Sequence, residues 1–393
     1  MDTALRSTAL WASTIQGLFA LTWALYVAFL PGLLARAGVD ARFVVVFVLL
    51  DQVVFAVCDW ASGIYADRLV RLLKRLAPAL TACALVSSCA LVALPWVAGF
   101  GVPALLVAIT VLWTATSSAL RAPVFTLLGR VGGSARPSGT ISLALLGIGV
   151  AGAIAPMLTR ALAQEDPRVA LGVCAASLAI AALFTSRLEA RGSDATTAAV
   201  EPTRAPVVFI AALVVIAGFG VQVHTVLLGA RAAKAGLLWA PWWSPAFWIG
   251  FSLGLIVSAM VGRAAGGTSP LRIGASGLLV GALALIGAQL AADAALFGVS
   301  QVVAGAAWAL FTAVACKAAL TYGGGAGIGS PMGLIFSALA IATLARVLLV
   351  YAGLQAGTWV AWLPAIAYVV CGAILLLFAL GGSGARERPR AAD

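Results

Sequence analysis

Three aspartates stand at eight-residue intervals in an otherwise apolar stretch, LLDQVVFAVCDWASGIYADR, residues 49–68. They are Asp51, Asp59 and Asp67, and they belong to a chain in which only 9% of the residues are charged. In an apolar environment a carboxylate is costly unless it holds a proton, faces a cavity or has a cation as its partner. The three aspartates are therefore the first candidates for chemistry in this sequence.

Two arginines and one histidine also fall within long apolar segments, at Arg121, Arg346 and His224. The chain has no other histidine, and an unperturbed imidazole titrates near neutral pH, which suits a proton relay. A histidine that only holds neighbouring helices together is an equally open interpretation. The six cysteines lie in or beside apolar segments without Cys-x-x-Cys spacing, so we expect no disulfide, no metal site and no cofactor.

The composition indicates which elements must position these residues. Of the 393 residues, 63% are hydrophobic, and the mean hydropathy is +1.09. Soluble domains carry about 25% charged residues, whereas a helix that crosses the hydrocarbon layer needs about 20 mostly apolar residues. Residues 76–120 contain no charged residue at all. The sequence therefore predicts an all-α polytopic membrane protein in a lipid bilayer. The segment from Leu10 to Pro31 is too long for the hydrophobic region of a signal peptide and lacks a clear cleavage site, so it is interpreted as the first span.

The apolar segments predict twelve transmembrane helices. Lys and Arg are more frequent on the side that holds both termini, so we expect the N- and C-termini in the cytoplasm and the protein in the inner membrane. This topology also explains the net charge of +11, and no nucleic acid partner is expected. The predicted spans are 10–33, 43–65, 77–98, 103–125, 138–160, 167–186, 207–230, 243–263, 271–292, 295–317, 331–354 and 359–381.

The longest polar stretch is RLEARGSDATTAAVEPTRAP, residues 187–206. It predicts a cytoplasmic linker between an N-terminal six-helix bundle, residues 1–186, and a C-terminal six-helix bundle, residues 207–381. Residues 382–393 are expected to form a polar cytoplasmic tail. Two six-helix halves with a central linker are typical of transporters built from two similar repeats.

The segment GIYADRLVRL, residues 63–72, follows the second predicted span. It resembles the major facilitator superfamily signature Gly-x-x-x-Asp-Arg-x-Gly-Arg-[Arg/Lys], found between helices 2 and 3 of that family. Val70 replaces the second glycine of the signature, and Leu72 replaces its last basic residue. The positions that match are Gly63, Asp67, Arg68 and Arg71.

This resemblance implies two six-helix bundles around a central cavity that work by alternating access. It also implies that the matching residues take part in conformational gating and not in the choice of substrate. An acidic residue at a helix end, near arginines and the N-terminus of another helix, can latch two halves together. The alternative is that the basic residues only set the topology of the chain.

Further expectations follow from the resemblance, because helices 2 and 11 of the family face each other across the halves. One hypothesis is that Asp51 and Arg346 form an ion pair there that responds to a proton or substrate, with His224 as a second coupling residue. The alternative is that Asp51 and Arg346 are each paired within their own half. Asp59 and Arg121 are expected to pair in support of the gate, unless Arg121 extends to the membrane surface instead.

Helices 1, 4, 7 and 10 of the family line the central path, so the polar and aromatic residues of these spans are candidates for the substrate cavity. A mixture of aromatic and amide side chains suits a small amphipathic organic molecule. The Trp-rich segment 239–243 is better interpreted as an interfacial belt. The cavity candidates are Gln16, Trp23, Tyr26, Trp113, Thr114, Ser117, Gln222, Gln301 and Trp308.

The segment from Gly152 to Arg160, GAIAPMLTR, is similar to the Gly-x-x-x-Gly-Pro-x-x-Gly-Gly pattern of antiporters in the family. Ala155 replaces the glycine before Pro156, and Thr159-Arg160 replaces the final pair of glycines. A kinked helix that packs closely through small residues is an equal alternative. The function implied is a monomeric secondary transporter, with proton-coupled efflux of a small organic solute favoured. Proton-coupled uptake of an organic anion and lipid flipping are the alternatives within transport.

A membrane-embedded enzyme and a receptor are the alternatives outside transport. The sequence contains no HExxH, no GxSxG and no nucleotide-binding loop, so an enzyme is not expected.

Overall fold

The computed structural model describes residues 3–73, 75–132, 138–192, 204–234, 240–264, 269–322 and 327–384. These residues form α-helices and short 3₁₀ segments, without a β-strand. Twelve segments of the described chain are long and apolar enough to cross a membrane, which confirms the predicted fold class. The helices are α1 (Thr3–Arg36), α2 (Val44–Leu73), α3 (Ala77–Ala98), α4 (Pro103–Ser117), α5 (Ala122–Gly132), α6 (Ser138–Ala161), α7 (Pro167–Leu183), α8 (Thr185–Gly192), α9 (Arg204–Lys234), α10 (Ala240–Ala264), α11 (Pro270–Leu290), α12 (Ala294–Tyr322), α13 (Gly329–Tyr351) and α14 (Leu363–Gly384).

The number of helices exceeds the number of spans because two spans are interrupted. Helices α4 and α5 form the fourth span, which is broken by a 3₁₀ turn at Ser118–Leu120. Helix α8 continues the sixth span after α7. Helices α1–α8 make up the N-terminal half and α9–α14 the C-terminal half.

Turn chemistry explains several helix boundaries. Proline occupies the first turn of α3, α4, α7 and α11. Because an N–H group in the first turn has no acceptor inside the helix, proline, which lacks this group, loses no hydrogen bond there. Glycines with positive φ, at Gly38, Gly101 and Gly353, follow α1, α3 and α13. These three turns lie at one end of the bundle, here called the opposite end. The other end, where α2 ends and α3 begins, is called the motif end.

The two halves pack mainly through α2 against α13 and through α6 against α10. At the contact of α6 with α10, Gly149 lies against Ser252, and Gly152 lies against the indole of Trp248. The exporter-like segment therefore belongs to the interface between the halves, as the close-packing interpretation requires. Its relation to export remains a prediction.

The contact of α2 with α13 is made backbone to backbone at the motif end. A Cβ atom on Gly63 would overlap with the carbonyl oxygen of Gly329, and one on Gly329 would overlap with the carbonyl oxygen of Gly63. A Cβ atom on Gly333 would lie 2.5 Å from the carbonyl oxygen of Asp59. Glycine at these three positions is therefore a condition for the observed distance between the two helices.

The first residues of the predicted linker are helical. Residues 185–192 form α8, and the carboxylate of Glu189 accepts hydrogen bonds from the N–H groups of Leu76 (2.6 Å) and Ala77 (2.8 Å) and from Arg130 (2.5 Å). Glu189 thus caps the first turn of α3 and fixes α8 to the N-terminal half. The rest of the predicted linker, from 193 to 203, and the tail from 385 onward lie outside the described residues. The domain boundaries remain predictions.

Adding a methyl group at Gly63 tests the importance of this helix contact. We expect Gly63→Ala to lower the thermal unfolding midpoint of the purified protein by several degrees, because the backbones of α2 and α13 must separate to accept the Cβ atom. Gly172→Ala is the control, since a Cβ atom at that helical position meets nothing within 4 Å. Equal midpoints for the two variants would contradict the proposed tightness of the contact.

Candidate functional site: a gate at the motif end and buried ionisable groups

Asp67 connects the two halves at the motif end. Its Oδ1 accepts a hydrogen bond from the N–H of Gly329 (2.7 Å), and its Oδ2 accepts one from the N–H of Ser330 (2.8 Å). These N–H groups belong to the first turn of α13 and have no acceptor within the helix. The carboxylate is almost completely buried, at 5% exposure, and lies at the positive end of the α13 dipole.

The other residues of the signature have different surroundings. Gly63 allows α2 to approach α13, as described above. Arg68 and Arg71 are exposed, and Arg71 Nε donates to the backbone oxygen of Asp67 (3.4 Å) rather than to its carboxylate. The contact that joins the halves is therefore between a carboxylate and a helix N-terminus.

Asp59 and Arg121 form the ion pair expected from the sequence. Arg121 donates from Nη1 to Oδ2 of Asp59 at 2.5 Å, with side-chain exposures of 13% and 0%. The guanidinium also lies over three aromatic rings, of Phe19, Phe55 and Phe336, at 5.7, 5.2 and 4.9 Å from their centroids. Arg121 therefore does not extend to the membrane surface. Because Phe336 belongs to α13, the pair also contacts the other half.

The interruption of the fourth span places Arg121 in this position. Pro123 has no N–H, and the chain leaves α-helical geometry at Arg121, where φ is −105° and ψ is −92°. The side-chain amide of Gln16 on α1 donates to the carbonyl oxygens of Leu120 (2.8 Å) and Arg121 (3.4 Å). Gln16, predicted as a cavity residue, thus satisfies backbone groups that the break exposes.

Asp51 does not pair with Arg346 in this structure, contrary to the sequence-based expectation. Its Oδ1 accepts a hydrogen bond from the hydroxyl of Thr114 on α4 (2.9 Å), and the side chain is 1% exposed. Tyr26 is completely buried in the same region, with its ring 4.5 Å from that of Trp113. Within the described residues no cation lies at ion-pair distance from Asp51. The carboxyl group faces the interior of its own half.

His224 lies between two polar side chains of the C-terminal half. Its Nε2 is 2.8 Å from Oε1 of Gln301, and its Nδ1 is 2.7 Å from Nη1 of Arg231. Arginine can only donate, so Nδ1 is the acceptor and Nε2 carries the proton that is donated to Gln301. Arg231 also donates to the carbonyl oxygen of Ala361 (2.5 Å). This arrangement matches the helix-pinning interpretation of His224, and a relay remains a prediction.

Most of the predicted cavity residues are buried in this structure. Trp23 and Gln222 are half-buried, and Gln222 donates to the hydroxyl of Thr343 on α13 (3.1 Å). A role of these residues in substrate binding remains a prediction. Those less than 9% exposed are Gln16, Tyr26, Trp113, Thr114, Ser117, Gln301 and Trp308.

Several residues of the α2–α13 contact and of the His224 cluster were not predicted from the sequence. Gly329 and Gly333 form a Gly-x-x-x-Gly pattern at the start of α13, which is a known signal for close helix packing. Ser337, one turn further on, donates to the carbonyl oxygen of Ala56 on α2 (2.6 Å). Arg231 follows the predicted seventh span, 207–230, but α9 continues to Lys234 and the Arg231 side chain is buried to 7% exposure.

Comparisons with known proteins identify the fold. No family model and no curated protein sequence matches the chain. The crystal structure of the human organic anion transporter MFSD10 (TETRAN) matches 97% of this chain and 99% of its own, with a TM-score of 0.70 and 14% identity. The proton:xylose symporter XylE matches 97% of this chain and 95% of its own, with a TM-score of 0.67 and 12% identity. The chain therefore has the major facilitator superfamily fold.

Neutralising Asp59 tests the energetic role of the ion pair with Arg121. We expect Asp59→Asn to destabilise the protein by about 3–5 kcal/mol, because Arg121 would remain buried without its anion. The double variant Asp59→Asn/Arg121→Gln should recover part of this loss, which a double-mutant cycle of unfolding midpoints measures. Asp40→Asn, in an ion pair with 60% and 75% exposed side chains, is the control and should have little effect. Additive effects of the two buried substitutions would contradict the pairing.

Proposed function

We propose that the protein is a secondary active transporter that moves a small organic solute by alternating access. The observation that carries this proposal is the bond between Asp67 and the N-terminus of α13, which joins the halves at one end of the bundle. The fold supports the proposal, because the two structures matched above are an organic anion transporter and a proton:xylose symporter.

The contacts between α2 and α13 can open as one unit. The Asp67 bonds, the glycine contact at Gly63 and the bond from Ser337 to Ala56 all join these two helices. When the helices separate at the motif end, the carboxylate and the N–H groups it binds are both released, and water must replace both sets of hydrogen bonds. At intermediate separations neither the carboxylate nor the N–H groups have a hydrogen-bond partner, which favours two discrete states over a continuous motion.

Proton coupling is proposed through Asp51. An ionised carboxylate buried in the membrane interior without a cation costs several kcal/mol, and protonation removes this cost. Asp51 is a proton-binding side chain with hydroxyl neighbours and without an ion-pair partner among the described residues. A proton on Asp51 would therefore favour the conformation described here over one that exposes the carboxylate to water.

The remaining features of the proposal rest on the sequence. The distribution of Lys and Arg favours an orientation with the motif end in the cytoplasm, and the inner membrane is proposed as the location. Efflux is favoured by the exporter-like segment at Gly152–Arg160, which lies in the interface between the halves. A monomer without a cofactor is the working form.

Removing the Asp67 carboxylate tests alternating access without knowledge of the substrate. Spin labels at Leu72 and Thr321, in a variant without the six native cysteines, report the distance between the halves at the motif end. We expect Asp67→Ala to shift this distance distribution to longer values, because the α13 N-terminus loses both acceptors. Labels at Val102 and Tyr351 should show the reverse change at the opposite end. Unchanged distributions at both ends would contradict the gating role of Asp67.

The same labels test proton coupling through Asp51. We expect acid pH to increase the population with a short distance between Leu72 and Thr321, since protonation removes the cost of burying the carboxylate. Asp51→Asn should keep this population high between pH 5 and pH 9, while the control Asp40→Asn should respond to pH as the native protein does. An identical pH response in Asp51→Asn would contradict the proposed proton site.

A further inference from the structure

Arg346 lies within a span, and its guanidinium has no ion-pair or hydrogen-bond partner in the described part of the chain. The residue lies on α13, the helix that also carries Phe336, which packs on Arg121, and Thr343, which is hydrogen-bonded to Gln222. Ten residues separate Arg346 from Phe336, which is about 15 Å along the helix. The side chain is half-buried, and its Nε atom is buried without a hydrogen-bond partner.

The carboxylates of the N-terminal half are engaged elsewhere. Asp59 pairs with Arg121, Asp67 binds the N-terminus of α13, and Asp51 accepts a hydrogen bond from Thr114. None of them forms an ion pair with Arg346.

The C-terminal half provides no alternative. Between residues 207 and 384 the only acidic residue is Asp293, which is exposed in the turn before α12 and accepts a hydrogen bond from the N–H of Leu296. A cation in a membrane span usually pairs with an anion or faces a water-filled cavity. Among the described residues no anion pairs with Arg346, so its surroundings favour either a water-filled cavity or an anion from outside the protein.

Two other arginines, Arg121 and Arg231, have partners within the described part of the protein, unlike Arg346. Arg121 has a carboxylate and three aromatic rings. Arg231 donates to His224 and to the carbonyl oxygen of Ala361. Both are held by groups of the protein, so neither is as available to a ligand as Arg346.

We infer that Arg346 binds the anionic group of a small organic anion, a carboxylate or a sulfonate, in the path between the halves. The guanidinium presents a planar pair of donors that matches two oxygens of such a group. Gln222 and Thr343, one turn closer to the motif end, supply further polar atoms. This inference rests on the proposed transport function, since it names the class of solute that the protein moves.

Equilibrium binding to the purified native protein tests the inference. The probes are benzoate and p-toluenesulfonate, each compared with its uncharged amide, benzamide and p-toluenesulfonamide, by isothermal titration calorimetry. We expect both anions to bind at least tenfold more tightly than their amides. Arg346→Gln should weaken anion binding at least tenfold, and Arg346→Lys should weaken it less. Arg36→Gln, which removes an exposed cation at the opposite end, should leave the affinity unchanged.

Thermal unfolding of the same variants separates ligand binding from a structural role. Removing a half-buried cation that has no partner should not lower the midpoint, so Arg346→Gln should be at least as stable as the native protein. A lower midpoint would indicate a structural role and would overturn the inference. So would equal binding of anions and amides, the absence of binding by both anions, unchanged affinity in Arg346→Gln, or chloride competing as strongly as benzoate.

The two proposals fail in different experiments. Binding is measured without a gradient, so it reports on Arg346 whether or not the protein transports. Proteoliposomes with an imposed pH gradient and internal benzoate then test transport. Binding without transport would contradict the proposed function alone, whereas opening and closing of the gate without anion binding would contradict the assignment of Arg346 alone.

Discussion

The approach of α2 to α13 without intervening side chains is the constraint on which the remaining contacts depend. Because Gly63, Gly329 and Gly333 carry no Cβ atom, the two backbones meet, and Asp67 can reach the first N–H groups of α13. A buried carboxylate and the free N–H groups of a buried helix end each require a partner. Here each is the partner of the other, so the carboxylate and the N–H groups at the motif end need no third group to complete their hydrogen bonds.

The charged residues within the spans differ in the partners that they have. Asp59 and Arg121 form an ion pair, Asp67 binds a helix end, and Asp51 has only neutral hydroxyl neighbours. Arg231 has neutral acceptors, and Arg346 has no partner among the described residues. In the ion pair and the helix cap the charged group has a partner of opposite charge or the positive end of a helix, which suits structural and gating roles. The groups left incomplete, Asp51 and Arg346, are the ones on which a proton or a ligand can act.

The sequence was sufficient for features that depend on composition and on local pattern. The spans follow from hydropathy, and the pairing of Asp59 with Arg121 was expected because both lie toward the same end of their spans, the second and the fourth. The position along a helix gives the depth of Asp51 but not the direction in which tertiary packing turns it, so its bond to Thr114 was not foreseen. Glu189 was assigned to a linker because its surroundings are polar, and only the folded chain shows the end of α3 that it caps.

The two incomplete groups lie on the same two helices as the gate. Asp51 precedes Asp67 by sixteen residues on α2, and Arg346 follows Gly329 by seventeen on α13, which is about 25 Å along each helix. A proton on one helix and an anion on the other do not need to touch in order to influence each other. The proton changes the free energy of moving α2, and the anion changes the free energy of moving α13. Because these two helices share a backbone contact, neither helix can move at the motif end without releasing the other. The coupling that we propose between proton and solute therefore rests on the geometry of one helix pair.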